Sequence, residues 1–186
     1  MIGYGICGSF CTHAKSLEVL EKLCQSHEVC PIVSDSVYST DTRFGAAKDF
    51  KEKLRALTGH EIIHTVREAE PLGPKMPLEA LIVCPCTGNT LAKIANGITD
   101  TAVTMAVKAH LRTERPLLIA LASNDAMSSN LSNISTLLNR KNVFFVPMVQ
   151  DDPKNKPSSL VADFSKVEEA FEMMEKGVQL RPLFLE

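Results

Sequence analysis

Two short stretches carry the residue types that do chemistry. The first, "CGSFCTH" (7–13), sets Gly8, Ser9 and Thr12 between an apolar run and the start of a helical pattern. Backbone N–H groups at a helix N-terminus, beside small hydroxyls, make an anion site that a monophosphate fits; Ser9 or Thr12 serving only as a helix cap explains the same residues. The second, "CPCTGNTLAKIANGITD" (84–100), sets Pro85, Cys86, Thr87, Gly88, Asn89 and Thr90 in a tight loop ahead of Leu91, Ile94, Ala95 and Ile98. Those four repeat at helical spacing. The loop offers backbone donors, two threonine hydroxyls and a carboxamide, whereas a cap at Asn89 or Thr90 requires one of them.

A third stretch is misleading. "GYGICG" (3–8) matches G-x-G-x-x-G, the loop that cradles a dinucleotide pyrophosphate. That fingerprint needs a strand before its first glycine, and only Met1 and Ile2 precede Gly3. Gly3 and Gly5 therefore belong inside the strand, with Gly8 alone in the turn. The second strand ends at Ser34 and Asp35 falls in the loop beyond it, which leaves no acidic partner for a ribose.

Other reactive residues fit quieter roles. The six cysteines (Cys7, Cys11, Cys24, Cys30, Cys84, Cys86) form no C-x-x-C pair and read as reduced, buried thiols. Cys86 has a functional alternative, as a thiol activated by a helix N-terminus. The five histidines show no ligand spacing, so no metal site is expected. His13, just after the first loop, reads as capping or solvated, the alternative being contact with a ligand. "QDDPKNKP" (150–157) reads as an exposed loop or a contact for a partner subunit.

Alternating elements must position these loops. Strands are expected at 2–7, 28–33, 61–66, 78–84, 116–122 and 142–147. Helices are expected at 16–27, around Ala47, Phe50, Leu54 and Leu57, from Asn89 to Gly97, at 101–113 and at 131–140. A last helix is marked by Leu160, Phe164, Val167, Phe171 and Met174, before an irregular tail at 179–186. "SDSVYSTDTRFG" (34–45) reads as polar loop. The alternation predicts an α/β, doubly wound, mostly parallel sheet, with ligands outside the carboxyl ends of its strands.

The totals bound the reading further. At 186 residues and 45% hydrophobic, the chain suffices for one good core, read as a single domain over 1–186. Its 20 basic and 22 acidic residues are interspersed, for a net charge of −2, so neither nucleic acid nor an anionic membrane is expected as partner. No signal-type segment or membrane span is visible, and a cytoplasmic protein is expected.

"PCTGNTLAKIANGITD" resembles the P-A-S-A-N-T loop and K-I-A-N-G-I-A-D helix of the flavodoxin-like flavoproteins, which include FMN-dependent cysteine decarboxylases and prenyl-flavin synthases. "GICGSF", "EVCPIVS" and "ASNDAMSSNLSNISTLLNRKNVFFVP" are similar to that family's first phosphate loop, second strand and substrate-clamp segment. The resemblance implies an FMN site. Gly8, Ser9 and Ser34 would lie near the phosphate, with Pro85, Thr87, Gly88, Asn89 and Thr90 around the ribityl chain and ring edge; Ser123 and Asn124 would face the same crevice. Two departures accompany it. Pro71 stands where the decarboxylases carry a histidine, and Ser123 to Met127 replace the clamp's P-x-M-N.

"VYSTDTRFG" (37–45) and "NRKNVFFVPMVQDDPKNKPSSLVAD" (139–163) narrow the resemblance to a branch of spore-forming bacteria. That branch implies action beside a separate A subunit carrying a dehydrogenase-like NAD(P) domain. The reaction would oxidise a cyclic dihydro-diacid, or its hydrated precursor, to an aromatic diacid. Arg43 and Arg112 are candidate carboxylate partners, because guanidinium pairs bidentately with carboxylate. The family also implies self-association, commonly as trimers. Two alternatives stand beside this reading: a cofactor-free structural or regulatory partner of the A subunit, and an FMN-dependent decarboxylase or flavin-modifying enzyme.

Overall fold

Over residues 1–185, which the computed structural model describes, strands and helices alternate along the chain. They run β1 (Ile2–Ile6), a 3-10 turn (Phe10–Thr12), α1 (His13–Leu23), β2 (Val29–Val33), α2 (Asp35–Ser39), α3 (Ala47–Thr58) and α4 (Val66–Ala69). Then come β3 (Leu81–Cys86), α5 (Gly88–Ala95), α6 (Ala102–Leu111), β4 (Leu117–Ser123), α7 (Leu131–Leu138), β5 (Val143–Phe145), β6 (Met148–Val149) and β7 (Leu160–Ala162). A second 3-10 turn (Phe164–Lys166) leads into α8 (Val167–Glu175). No helix among the described residues is long and apolar enough to cross a membrane.

Five strands pair in parallel in the order β2-β1-β3-β4-β5. The first half of β4 pairs with β5, while its end at Ala122 and Ser123 pairs antiparallel with β7, which β6 joins. This is the doubly wound order whose direction reverses between β1 and β3, and that reversal opens a crevice at the strands' carboxyl ends.

Side chains alternate across the sheet and meet helices on both faces. Ile2, Tyr4, Ile6, Ile82 and Leu118 pack with Leu20, Phe171 and Met174 on one side; Leu81, Val83 and Ile119 pack with Leu91, Val103 and Ile134 on the other. Gly3 and Gly5 take the second face. A Cβ on Gly3 would lie 2.6 Å from Leu78 Cδ1, and one on Gly5 would lie 3.3 Å from Val103 Cγ1. The glycines of the misleading motif thus let side chains approach β1, as the register argument required.

The strand β3 carries a bulge: Val83 pairs with Ile119 and Cys86 with Leu121, leaving one extra residue on β3. Pro85 has no N–H to give the ladder, and the Cys84 carbonyl instead accepts the Ser16 hydroxyl at 2.6 Å. The Tyr4 hydroxyl donates to the Ser16 carbonyl at 2.9 Å, so a buried polar triangle ties α1 to the sheet where the second loop begins.

Several expectations are corrected. Pro85 and Cys86 belong to β3, so the loop begins at Thr87. The 61–66 segment forms a single bridge, Ile63 to Ile32, because Thr65 caps α4 in a reciprocal box with Glu68. The polar stretch after Ser34 holds the short helix α2. Leu160 belongs to β7, and the last helix starts after Phe164. The tail is partly ordered: the Gln179 carboxamide pairs both the N–H and the carbonyl of Phe145, at 2.8 and 2.7 Å, standing where a further strand would. Glu186 of that tail lies outside the described residues.

Candidate functional site

The β3–α5 loop satisfies itself. The Thr87 side chain caps α5 by accepting the Thr90 N–H at 3.2 Å, and its hydroxyl donates to Thr90 Oγ1 at 3.1 Å. Thr87 is thus the cap, rather than Asn89 or Thr90. Gly88 follows with no room for a side chain, since a Cβ there would run into Ser123 Oγ and lie 2.6 Å from Asp125 Oδ1 and 2.7 Å from Asn130 Nδ2. Those three residues form a network of their own. The Asp125 carboxylate accepts the Ser123 hydroxyl and, at 3.0 Å, the Asn130 amide, whose oxygen accepts from Asn133 at 3.0 Å. These bonds hold the Asp125 side chain in place beneath the loop.

The β1–α1 loop is left open. Neither Ser9 nor Thr12 makes a side-chain cap bond, and the Thr12 hydroxyl donates to the Ser9 carbonyl at 2.8 Å. The cap reading of these two residues is therefore corrected. The N–H groups of Gly8 and Ser9 meet no protein acceptor among the described residues. Ser34, at the end of β2, donates its N–H to the Ile6 carbonyl and pairs its hydroxyl with Ser36 at 3.0 Å; it too leaves its helix without a side-chain cap.

Between these loops lies a crevice of about 690 Å³. Its walls bring together Ser9, Thr87, Gly88, Asn89, Ser123 and Asn124, all read from the sequence as site residues. Gly8 and Ser34, also read as site residues, are not on its walls: Gly8 precedes Ser9 with its Cα facing Ser36, whose Oγ a Cβ would meet at 3.1 Å, and Ser34 starts α2. Thr90 turns to Thr87 and is buried. Pro85 is buried inside β3 and acts through its carbonyl, which accepts the Cys7 N–H at 3.1 Å. Both position the loop without lining it.

The two arginines are not brought there. Arg112 ends α6 on the approach to β4, at the amino end of the sheet, and is exposed. Arg43 stacks on Phe44, its guanidinium carbon 4.8 Å from the ring centroid, on the turn before α3. Cys86 is enclosed, and burial pushes its thiol well above the usual range, so the activated-thiol alternative fails. His13 is buried instead of capping or solvated: its Nε2 sits 2.8 Å from the Cys7 carbonyl and its ring stacks on Phe50 at 4.7 Å.

Some crevice residues escaped sequence reasoning. Cys11 lies in the Phe10–Thr12 turn and Lys15 in the first turn of α1, and Asp151, Lys156 and Ser159 enter from the β6–β7 connection. Asp151 accepts the Ser159 hydroxyl at 2.6 Å and pairs with Lys156 at 3.1 Å; these contacts hold its carboxyl below the usual carboxylate range. The signal was the charged 150–157 loop, whose return to the crevice needs the antiparallel β6–β7 pair.

An open sheet in this order, with donor-rich loops meeting at its switch point, defines the flavodoxin-like α/β class. A family model described as Flavoprotein matches residues 1–173, and the chain belongs to that family. Within it the chain is 41% identical, over all 186 residues and 93% of the relative, to the dipicolinate synthase B subunit of Bacillus subtilis (strain 168). The crystal structure of the dipicolinate synthase B subunit from Bacillus halodurans C superposes with a TM-score of 0.91 at 38% identity, covering 100% of this chain and 95% of that one. The FMN-dependent cysteine decarboxylase SpaF shares the fold, with a TM-score of 0.67 at 24% identity over 93% of this chain and 95% of its own.

Proposed function

We propose that the chain acts as the B subunit of a dipicolinate synthase, in the cytoplasm beside an A subunit, and that its crevice holds FMN. The observation that carries this is the pairing of an open donor loop, Gly8–Ser9, with a self-satisfied cradle, Thr87–Asn89, across one crevice, in a chain so close to dipicolinate synthase B subunits. The donor set suits the cofactor. Free N–H groups and the hydroxyls of Ser9, Ser34 and Ser36 suit a phosphate. Gly88 lets the loop sit close against Ser123 and Asp125, and the carboxamides of Asn89 and Asn124 match a ring edge that both donates and accepts.

FMN, when bound, supplies a two-electron acceptor, while the protein supplies position and hydrogen bonds. In this reading NAD(P) belongs to the A subunit, and the joint reaction oxidises dihydrodipicolinate, or its hydrated precursor, to the aromatic diacid. The assembly we propose includes self-association as a trimer, as the family resemblance implies. The structural-partner alternative draws on Asp125 and Asp151, two carboxylates on the crevice wall that an anionic cofactor must tolerate.

The test is reconstitution. The A subunit with NAD(P) and substrate is assayed alone, with the apo chain and with the FMN-loaded chain, following dipicolinate by its ultraviolet absorbance. Full rate only with the loaded chain supports the proposal. Equal rescue by the apo chain establishes the cofactor-free partner instead, and full rate with the A subunit alone overturns both.

A further inference from the structure

On the other side of the Phe10–Thr12 turn lies a separate cavity of about 130 Å³, walled by Phe10, Val37, Phe44 and Phe50, with His13 and Lys53. Its size compares with the ~150 Å³ apolar cavity that takes up benzene. His13 differs from the other walls. It is only 8% exposed, it is gripped between Phe50 and Phe10 at ring distances of 4.7 and 5.0 Å, and its Nε2 faces the Cys7 carbonyl at 2.8 Å. A carbonyl can only accept, so Nε2 carries the proton and Nδ1 is a bare lone pair. Burial lowers the pKa of the ring and keeps it neutral. Nδ1 has no partner among the described residues, yet it is not sealed off: the enclosed, unpartnered side-chain nitrogen among them is His110 Nδ1. The histidine therefore holds an unused acceptor at a cavity wall.

The cavity has a lid. Residues 41–46 form a turn in which Thr42 and Gly45 exchange backbone bonds of 3.0 and 3.1 Å, and the Phe44 N–H donates to Thr42 Oγ1 at 3.1 Å. Gly45 has φ +143°, a conformation L residues rarely adopt, with nothing near its missing side chain. The turn holds Phe44, 54% exposed, over the cavity with Arg43 stacked on it. Lys53 lines the cavity beside the Asp49 carboxylate, and the turn at its edge carries Arg43, stacked on Phe44, and Asp41, whose carboxylate accepts the Ala47 N–H at 2.8 Å. Asp41 is committed to the start of α3, which leaves Lys53 and Arg43 as the groups offered to an anionic ligand.

We propose that this cavity is a subsite for a cyclic carboxylate: its ring sits among Phe10, Phe44 and Phe50, a ring hydroxyl or N–H donates to His13 Nδ1, and its carboxylate meets Lys53 and Arg43. The proposal rests on the diacid reading of the reaction and adds the residues that would recognise the diacid. It assigns Arg43, which the crevice excludes, a role at a different site.

Two probes differing by one donor test it: 4-hydroxypyridine-2,6-dicarboxylate and pyridine-2,6-dicarboxylate, titrated into the full chain while the His13 ring nitrogens are followed by 15N NMR. The expected results are Nε2 protonation in the free protein, a shift of Nδ1 with the hydroxylated probe, and at least tenfold tighter binding of that probe. Phe44→Ala, at an exposed side chain, should weaken its binding about tenfold at unchanged Tm. Equal affinities, no binding of either probe, a proton on Nδ1 in the free protein, or the same shifts on adding FMN would each overturn the subsite. Loss of the synthase reading shows separately. If reconstitution with the A subunit makes no dipicolinate while the donor-dependent shift persists, the reaction is wrong and the subsite stands.

Discussion

Two loops at the same end of the sheet use similar residues in opposite ways. In the β3–α5 loop, Thr87 and Thr90 close on each other and Gly88 is packed against Ser123, Asp125 and Asn130, so these groups are committed before any ligand arrives, while the exposed Asn89 carboxamide is left for one. In the β1–α1 loop, Ser9 and Thr12 decline the cap, and the Gly8 and Ser9 N–H groups stay open. A loop that satisfies itself makes a rigid wall. One that leaves donors unpaired near water is where an anion gains most, because its hydrogen bonds replace none within the protein.

The largest expected effect comes from breaking the wall. Gly88→Ala puts a methyl into the Ser123–Asp125–Asn130 network and should cost about 2–3 kcal/mol by denaturant unfolding, the upper part of the range of about 1–3 kcal/mol for overpacking. Ordinary stability in that variant would mean the network yields easily and the wall is not rigid. Thr87→Ala removes a cap and should cost about 1 kcal/mol.

An effect of pH is next in size, and it concerns the histidine behind the open loop. Burial holds both His13 and His110 below the ordinary imidazole pKa. Below about pH 6.5 the unfolded imidazoles take up protons that the folded ones still refuse, so stability is complete above that pH and falls as the pH drops beneath it. Tm should decline between pH 7.5 and 5.5, and His110→Leu should flatten the decline. A Tm that rises with acid over this window would contradict the neutral, buried imidazoles.

The smallest effect on stability should be Ser9→Ala, within about 0.5 kcal/mol of wild type, because the side chain caps nothing. The contrast with Thr87→Ala sharpens the comparison: two small hydroxyls, each beside a helix start, differ in what the fold asks of them.

How far the sequence disclosed this depends on the element. The two loops were legible because strand, small-residue turn and helix follow one another locally, and Gly3 and Gly5 lie inside β1 against Leu78 and Val103, where a dinucleotide loop would need them in the turn. Pro85 and Cys86 were misplaced because the bulge that extends β3 is satisfied by Ser16, 68 residues earlier in the chain. The Leu160 strand and the return of Asp151 and Lys156 to the crevice were hidden for a similar reason. Two- and three-residue strands carry no period, and the pairing of β7 with the end of β4, which β6 then joins, is a long-range fact. His13 was misjudged because burial by Phe50, from α3, has no local signature.

The central claim is that the open loop and the closed wall together hold FMN. Its most direct test is titration of the purified chain into FMN, read by flavin fluorescence and followed by desalting, for wild type, Asn89→Asp and Ser9→Ala. The account predicts saturable quenching and retained yellow colour for wild type, with about tenfold weaker binding in each variant, the loss of one good hydrogen bond. Unquenched FMN with the wild-type chain, alone and with the A subunit present, would contradict it.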